Sequence, residues 1–303
     1  MIAFGCAITD PPDFERYAEP GIRAAAEPDS EIIAMGSAGS IFRNYNMLLD
    51  RVAGRDDLEA LVLLHQDTEI VDPDLCAKLR AAFEDPEVAI VGCAGAVGVR
   101  SIAWWEGSVT WSGFMHRYHE EGGGDIPALT WDAEDVPSFA KLGEVDTIDG
   151  FLMGLSPWAV RNLRFDETLG QIHGYDLDVC LQARSAGKKV LTGDFRAIHH
   201  HDLDMIRGVD GWVEAHIKVA EKWDGKMPDV GTGAGDWKQR ARRAEAEAAA
   251  ERMVAFAAEH IWNARVQERD NRIKEMEGSL AWRMTKPLRW LKRQALKLRR
   301  GSG

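Results

Sequence analysis

The sequence has few cysteines, no long apolar run and no surplus of positive charge. Its four cysteines lie far apart in the 303-residue chain and form no Cys-x-x-Cys pair, which favours reduced, buried thiols over a disulfide framework or a zinc site. No apolar run approaches the roughly 20 residues that a membrane-spanning helix requires. Acidic residues outnumber basic ones by 49 to 37, so we expect no nucleic-acid partner.

Short apolar runs of strand length alternate with helical patterns through the first two-thirds of the chain. Strands buried on both faces read as continuous apolar runs, and the helices between them supply the crossovers. We therefore expect an α/β fold built on a doubly wound, mostly parallel sheet. The predicted strands cover residues 2–7, 32–35, 61–64, 88–91, 145–155, 189–191 and 196–199, and the predicted helices cover residues 14–26, 40–52, 74–83 and 177–186.

The composition changes after Trp223. Residues 1–223 predict the main domain, and the glycine-rich residues 224–236 predict a linker. Residues 237–278 are rich in Ala, Glu and Arg and predict one long helix. Apolar side chains follow heptad-like steps along it, interrupted by Arg269. The stripe favours packing on the main domain, with a short coiled coil in a homodimer as the alternative; it comprises Trp262, Val266, Ile273, Met276 and Leu280.

The last 25 residues, 279–303, carry eight basic side chains and no acidic one. Leucines at three- to four-residue spacing and Trp290 accompany them, a pattern typical of a helix that lies on an anionic membrane surface. A solvated tail and a nucleic-acid contact are the alternatives. We expect a cytoplasmic protein held peripherally at the inner face of the cell membrane.

Three segments carry candidate chemistry. A buried strand ends just before Asp67, which places this carboxylate where an open parallel sheet binds ligands and where Mg²⁺ or Mn²⁺ prefers oxygen; a turn-capping role is the alternative. Asp176 lies in the first turn of a predicted helix, where it is a candidate general base. The alternative is that its charge only stabilises the positive end of the helix dipole. Of three consecutive histidines, only some can face one site, because strand side chains alternate; surface histidines are the alternative.

Taken together, four motifs resemble family 2 glycosyltransferases of the GT-A fold. The resemblance covers about residues 1–205, and the branch with Trp104-Trp105 and a Leu-His-Gln-Asp sequence is the most similar. Residues 279–289 also resemble a segment appended to bacterial polysaccharide glycosyltransferases. The motifs are His65-Gln66-Asp67, Ile148-Asp149-Gly150-Phe151-Leu152-Met153, Tyr175-Asp176 with Arg184 and Gly187, and Ile198-His199-His200.

The resemblance implies a role for each matching residue. Asp176 is the catalytic base, and Mn²⁺ or Mg²⁺ is held by Asp67 and by His199, with His200 as second choice. Asn46 matches an asparagine that opens the helix before the metal-motif strand. The residues implied in donor or nucleotide binding are Thr9, Asp10, Asn46, Gln66, Asp67, Asp149 and Gly150, and those in the acceptor region are Trp104, Trp105 and Tyr175.

The chain departs from the family pattern at two positions. His65 replaces the first carboxylate of the metal motif, and Tyr175 replaces the glutamate before the base. The Gln-x-x-Arg-Trp motif of processive synthases is missing. The resemblance thus implies an inverting, metal-dependent, non-processive transferase that moves a sugar from a UDP-, GDP- or dTDP-sugar to a glycan or lipid-linked glycan in surface polysaccharide assembly.

Two other functions remain as alternatives. A sugar-nucleotide pyrophosphorylase would share the architecture, but its first loop is glycine-rich and basic, whereas residues 9–13 here are Thr-Asp-Pro-Pro-Asp. A non-catalytic membrane scaffold would rely on the long helix and the tail. Titration with a nucleoside diphosphate and Mn²⁺ separates these functions, since a scaffold would show no change in melting temperature.

Overall fold

A computed structural model describes residues 1–99, 101–118, 131–132, 142–201, 209–224, 226 and 236–285. The chain divides into two compact units, Met1–Val254 and Ala255–Gly303. Among the described residues, the strands are β1 Ile2–Ile8, β2 Glu31–Gly36, β3 Ala60–Leu64, β4 Thr68–Ile70, β5 Val88–Gly92, β6 Ala94–Val97, β7 Ser108–Trp111, β8 Met115–Tyr118, β9 Trp131–Asp132, β10 Thr147–Ile148, β11 Leu152–Leu155, β12 Lys189–Thr192 and β13 Ala197–His201.

A continuous helical segment follows β1, and its middle part, Phe14–Ala18, is a π-helical turn. A 3₁₀ turn covers Trp104–Glu106. The α-helices of the described residues are α1 Pro11–Asp13, α2 Glu19–Ala25, α3 Ile41–Val52, α4 Leu75–Phe83, α5 Pro157–Asn162, α6 Tyr175–Ser185, α7 Val209–Lys222, α8 Asp236–Gly278 and α9 Leu280–Met284.

The central sheet has six strands in the order β12-β5-β11-β3-β1-β2. All neighbouring pairs are parallel except those of β11, which runs antiparallel to both β3 and β5. β3 and β5 are buried along their whole length, as their continuous apolar runs predict. The α/β class, the mostly parallel sheet and the long C-terminal helix predicted from the sequence are confirmed.

The prediction of a single strand over residues 145–155 is wrong. The structure contains β10 and β11 instead, in different sheets, with the turn Asp149–Phe151 between them. Both strands are buried, and Asp149-Gly150, a dipeptide typical of turns, marks the break between them. The reversed direction of β11 places its amino end beside the carboxyl ends of its two neighbours, β3 and β5.

Two smaller sheets complete the main unit. β10, β6 and β7 form an antiparallel sheet, and β4, β13, β8 and β9 form a second sheet in that order. β4 follows β3 after a short turn, and β13 pairs with β4. The strand that carries the three consecutive histidines, β13, therefore comes close to the end of β3. All four cysteines are free and buried, as expected.

Helix α6 shows why its sequence begins and ends where it does. Gly174 precedes it with a φ of 80°, and Gly187 follows it with a φ of 74°, conformations that glycine adopts without strain. The amide of Lys188 donates to the carbonyl of Ala183 across this end. The predicted stop at Gly187 is confirmed, and the helix begins two residues earlier than predicted, at Tyr175.

The carboxyl-terminal elements differ from the body in composition and exposure. α8 is 43 residues long, which confirms the predicted helix over residues 237–278. No helix among the described residues is long and apolar enough to cross a membrane. The basic residues 286–303 and most of the predicted linker lie outside the described residues. The apolar stripe is exposed: Trp262, Val266, Ile273, Met276 and Leu280 each expose at least half of their surface.

Candidate active site

Three chain segments meet at the edge of the central sheet where its parallel strands end. β1 and β3 run parallel and deliver Thr9 and His65 to this edge. β11 runs in the opposite direction, with Leu152 opposite Leu64, so the residues before it reach the same edge. The amide of His65 donates to the carbonyl of Phe151 at 3.0 Å. This edge is the usual ligand-binding position of an open α/β sheet.

His65, Asp67 and His199 form the candidate metal site among the described residues. One ligand atom from each lies within 4.8 Å of those of the other two. Nε2 of His199 is 3.4 Å from Oδ1 of Asp67, and Nδ1 of His65 is 3.9 Å from the same oxygen. Two of the three residues were predicted as ligands. His65 was noted as a departure from the family motif, and the structure brings it into the cluster.

The strand alternation separates His199 from His200. The amide of His200 donates to the carbonyl of Asp67, while its Nε2 lies 2.8 Å from Glu69 and its ring stacks on Tyr17 at 3.9 Å. His200, the second choice as metal ligand, therefore lies outside the cluster. The side chain of His201 is outside the described residues.

The His199 ring lies in an aromatic pocket that sequence reasoning missed. Phe151 stacks on it at 4.6 Å, and His116 of β8 lies beside it at 5.0 Å. His199 is 1% exposed, and burial with the nearby His65 and His200 rings holds its pKa well below the usual histidine value. Burial also lowers the pKa of His65. Both imidazoles are therefore neutral near pH 7, the form that binds metals.

Tyr175, which the resemblance places in the acceptor region, supports His65. It is 4% exposed, and its hydroxyl lies 2.5 Å from Nε2 of His65. The rings of Phe42 and Tyr45 pack edge-on against it at 6.0 and 5.5 Å. Gly150 lies against the same phenol, and a β-carbon there would overlap it. The glycine is therefore required by this close approach.

Asp176 and Asp149 are two half-buried carboxylates beside the cluster. The Asp176 side chain accepts hydrogen bonds from the amides of Leu177 at 2.8 Å and Gly150 at 3.2 Å. Loss of hydration raises the pKa of Asp176 to about 6, although these hydrogen bonds oppose the rise. Loss of hydration and the charge of Asp176 raise the pKa of Asp149 to about 7. Asp149 is therefore partly protonated near neutral pH.

Gln66 fixes the loop that follows β1. Its side-chain oxygen accepts hydrogen bonds from the amides of Thr9 at 2.7 Å and Asp10 at 2.8 Å, and from the Thr9 hydroxyl at 3.2 Å. The Asp10 side chain in turn accepts a hydrogen bond from the amide of Asp13 and so caps α1. Thr9 and Asp10 are exposed, so this loop presents polar groups at the edge of the site.

Contrary to what the resemblance implied, Asn46 does not open helix α3. It lies inside the helix, which Ser40 caps. Its side-chain amide exchanges hydrogen bonds with the backbone of Phe165 at 2.8 and 2.9 Å. The buried Asn44, which sequence reasoning missed, holds the turn after β2 by bonds to Gly36 and Ala38. The Asn46 side chain is thus occupied by a structural clamp.

Trp104 and Trp105 form an aromatic wall with α7. The Trp105 ring lies 6.1 Å from that of Trp212 and 6.3 Å from that of Trp104. The neighbouring Ile102 and Val219 both flank Gly174, two residues before Asp176, so closely that a β-carbon there would be crowded by both. The predicted acceptor tryptophans are therefore on the same side of the fold as the start of α6.

The second aspartate of the α6 motif is structural. Asp178 is fully buried and accepts hydrogen bonds from Trp223 Nε1 at 2.8 Å and Gln182 Nε2 at 2.8 Å. Lys222 pairs with it at 2.8 Å and also contacts Asp166. These contacts tie α6 to α7 and hold the start of α6 in place. Arg184 fixes the opposite end through an ion pair with Asp146 at 2.6 Å.

The cluster suits a divalent cation. It offers one carboxylate oxygen and two neutral imidazole nitrogens at close range, and Tyr175 orients one imidazole in the way that second-shell partners of metal sites do. The residues that would hold the ion are His65 through Nδ1, Asp67 through Oδ1 and His199 through Nε2.

Residues 17–218 match the model of the glycosyltransferase-like family, and the chain belongs to that family. The resemblance predicted from the sequence is confirmed, and the α/β fold agrees with the architecture that it implied. The chain is 30% identical over 220 residues to the streptomycin biosynthesis protein StrF of Streptomyces griseus, which covers 70% of this chain and 71% of StrF.

Two solved structures have a similar chain course. The structure of GalNAc-T7 with UDP, GalNAc and Mn²⁺ matches with a TM-score of 0.47 and 10% identity, over 94% of this chain and 57% of that one. The mannosyltransferase PcManGT from Pyrobaculum calidifontis, in complex with GDP-Man and Mn²⁺, matches with a TM-score of 0.46 and 12% identity, over 93% of this chain and 82% of that one.

Proposed function

We propose that the protein transfers a sugar from a nucleoside-diphosphate donor to an acceptor hydroxyl, with inversion at the anomeric carbon. The observation that carries the proposal is the His65–Asp67–His199 cluster beside Asp149 and Asp176, at the ligand-binding edge of a chain from this family. Sugar transfer is what the family supports. The donor, the stereochemistry and the cation belong to the proposal.

Asp176 is the proposed general base. Its carboxylate is fixed by two amides at the start of α6, so it is oriented before the acceptor arrives. It takes the proton of the acceptor hydroxyl as that oxygen bonds to the anomeric carbon and the bond to the diphosphate breaks. A single displacement of this kind inverts the configuration. Base catalysis contributes roughly 10²–10⁴-fold.

Asp149 is the proposed contact to the donor sugar. With a pKa of about 7 it carries a proton in a large part of the molecules near neutral pH. Its carboxyl group can then either donate to or accept from a sugar hydroxyl. Asp149 precedes Gly150, whose amide donates to Asp176, so the turn that carries the sugar contact is hydrogen-bonded to the base.

The cation, when bound, would neutralise the negative charge that develops on the leaving diphosphate. The chain's own contribution is to hold the three ligands and the loop after β1. Gln66 draws Thr9 and Asp10 to the motif that contains Asp67, so a nucleotide bound to this loop would have its diphosphate near the cluster. Gln66, which the resemblance implies in donor or nucleotide binding, would act by orienting this loop.

The acceptor is proposed to bind along Trp104 and Trp105, because the apolar faces of a sugar ring stack well on indole. The missing processive motif favours the addition of a single sugar. Surface polysaccharide assembly at the membrane stays a prediction from the tail, as does the cytoplasmic, inner-face location. The relative's name, a streptomycin biosynthesis protein, adds small soluble acceptors to those worth testing.

A donor screen tests the proposed function. The full chain is incubated with UDP-, GDP- and dTDP-sugars, with and without Mn²⁺, and released nucleoside diphosphate is measured. We expect one donor to be turned over, and Asp176→Asn to lower the rate at least 10²-fold while the exposed Asp56→Asn leaves it unchanged. Retention of more than a tenth of the rate in Asp176→Asn contradicts the assigned base.

The same screen addresses the alternatives. A pyrophosphorylase would produce a nucleotide sugar from a sugar phosphate and a nucleoside triphosphate, and a scaffold would neither turn over a donor nor gain thermal stability with UDP or GDP and Mn²⁺. Once a donor and acceptor are found, the product's anomeric coupling constant in the NMR spectrum shows whether the configuration is inverted.

A further inference from the structure

We infer that His65 and Tyr175 make the cation site selective for borderline ions such as Mn²⁺ and Co²⁺ over Mg²⁺. The inference rests on the proposed function only in placing a cation at the three-residue cluster. Tyr175 is a positioning residue in this scheme, because it acts on the ion through His65.

The donor set is the first argument. Mg²⁺ binds oxygen ligands in near-ideal octahedral geometry and retains its waters, whereas imidazole suits transition metals. Two of the three ligands in the cluster are imidazoles, and Asp67 is its only carboxylate. A site with aspartate at position 65 would offer two carboxylates instead of one. Histidine in place of aspartate at position 65 therefore shifts the metal preference of the site away from Mg²⁺.

The orientation of His65 is the second argument. Tyr175 Oη lies 2.5 Å from Nε2, so that nitrogen is occupied and the other nitrogen, Nδ1, is the one that faces Asp67. If Nε2 donates its hydrogen to the phenol oxygen, Nδ1 carries the free lone pair that a metal requires. This is the arrangement by which second-shell partners select the tautomer of a ligating histidine.

The rigidity of Tyr175 is the third argument. The rings of Phe42 and Tyr45 in α3 pack edge-on against the Tyr175 ring, and Gly150 lies directly against its phenol end. The phenol oxygen is therefore fixed, and so is the ring plane of His65. A preformed, rigid nitrogen ligand accommodates the longer bonds and softer character of Mn²⁺ or Co²⁺ without the oxygen-rich octahedron that Mg²⁺ requires.

Direct binding measurements on the full chain test the inference. MnCl₂, CoCl₂ and MgCl₂ are titrated separately by calorimetry, with bound Mn²⁺ also counted by electron paramagnetic resonance. We expect Mn²⁺ and Co²⁺ to bind at least tenfold more tightly than Mg²⁺. His65→Asp is expected to bring the Mn²⁺/Mg²⁺ affinity ratio down at least fivefold, and Tyr175→Phe to weaken Mn²⁺ binding by about 10–100-fold.

Two matched variants serve as controls. His200→Gln removes an imidazole from the same strand, and Tyr17→Phe removes a phenol oxygen, both outside the cluster. Neither variant should change the Mn²⁺/Mg²⁺ affinity ratio. Nitrogen hyperfine couplings of bound Mn²⁺ give a readout independent of affinity: two imidazoles in the wild type and one in His65→Asp. Circular dichroism melting confirms that each variant is folded before titration.

The outcomes separate the inference from the proposed function. Equal affinity for Mg²⁺ and Mn²⁺, or a single imidazole coupling in the wild type, overturns the inference while leaving sugar transfer intact. Unchanged Mn²⁺ affinity in Tyr175→Phe removes the positioning role. If the wild type binds none of the three ions, both the inference and the metal-dependent part of the proposed function are wrong, whereas the donor screen without added cation still tests transfer.

Discussion

Gly150 lies directly against the phenol of Tyr175, and a β-carbon at position 150 would overlap that ring. We expect Gly150→Ala to destabilise the fold by about 1–3 kcal/mol, the usual cost of overpacking. It should also lower the transfer rate, because the amide of residue 150 orients Asp176. Urea unfolding measures the first effect and donor turnover the second. Gly54→Ala, which has open space around it, should leave both unchanged.

The raised pKa of Asp149 predicts a pH dependence of stability. Its pKa is about 7 in the folded protein and near 4 when unfolded, so folding favours the protonated form. The stabilisation that protonated Asp149 gives the folded protein is fully present below about pH 4 and is lost as the pH rises through 7. Asp149→Asn removes it, so the melting temperature of this variant minus that of the wild type, both in EDTA, should increase from pH 4 to pH 8. A constant difference across this range would show that Asp149 is not strongly perturbed.

The clamp formed by Gln66 predicts a change in nucleotide binding. Gln66→Met keeps the length of the side chain but removes the oxygen that accepts the amides of Thr9 and Asp10. We expect nucleoside diphosphate to bind about tenfold more weakly, because the loop loses its three hydrogen bonds to Gln66, each worth about 1 kcal/mol, and part of the lost order must be regained on binding. Calorimetry with UDP or GDP in the presence of Mn²⁺ measures this. Similar binding in the variant and the wild type would show that the loop does not contact the nucleotide.

The exposed stripe of α8 predicts self-association. The heptad-like spacing of the stripe places Arg265 and Arg272 along one flank of it and Asp270 and Glu277 along the other. In a parallel pair of helices, Arg272 would face Glu277 of the partner subunit, and Arg265 would face Asp270 of the partner subunit. Arg269 within the stripe lowers the affinity, so we expect a weak, concentration-dependent dimer.

Sedimentation equilibrium with charge-reversed variants tests that arrangement. Arg265→Glu with Arg272→Glu should be monomeric, and so should Asp270→Arg with Glu277→Arg. A mixture of the two variants should form heterodimers. If the wild type is monomeric at the concentrations that the method reaches, or if the reversed variants associate as it does, this surface does not pair with itself.

The basic tail predicts membrane binding. Removing residues 286–303 eliminates most of its positive charge and leaves α9 intact. We expect the full chain to sediment with anionic liposomes at low salt and to be released by salt, as electrostatic attachment requires. The truncated chain should stay in the supernatant and keep its turnover of soluble donor. Equal sedimentation of the two chains would remove the membrane role of the tail.

The sequence was sufficient for the parallel strands of the central sheet and for the position of Asp67 just beyond β3, because buried strands and their ends follow from apolar runs and strand geometry. It was insufficient for the roles of Tyr175 and Asn46, whose partners His65 and Phe165 lie far away in the chain. The choice between His199 and His200 also required the structure. Alternation shows that only one of two neighbours faces a given side, while the register of β13 against β4 decides which one does.

Because the residues of the site come from distant segments of the chain, we expect the site to form late in folding. His65 and Asp67 come early in the chain, but the turn that holds Asp176 and the strand that carries His199 are made of residues much further on. Contacts between distant segments form slowly. Partly folded chains therefore lack the cation site, and an ion that binds only the finished arrangement stabilises the native state alone. Metal binding would then report whether a molecule has completed its fold.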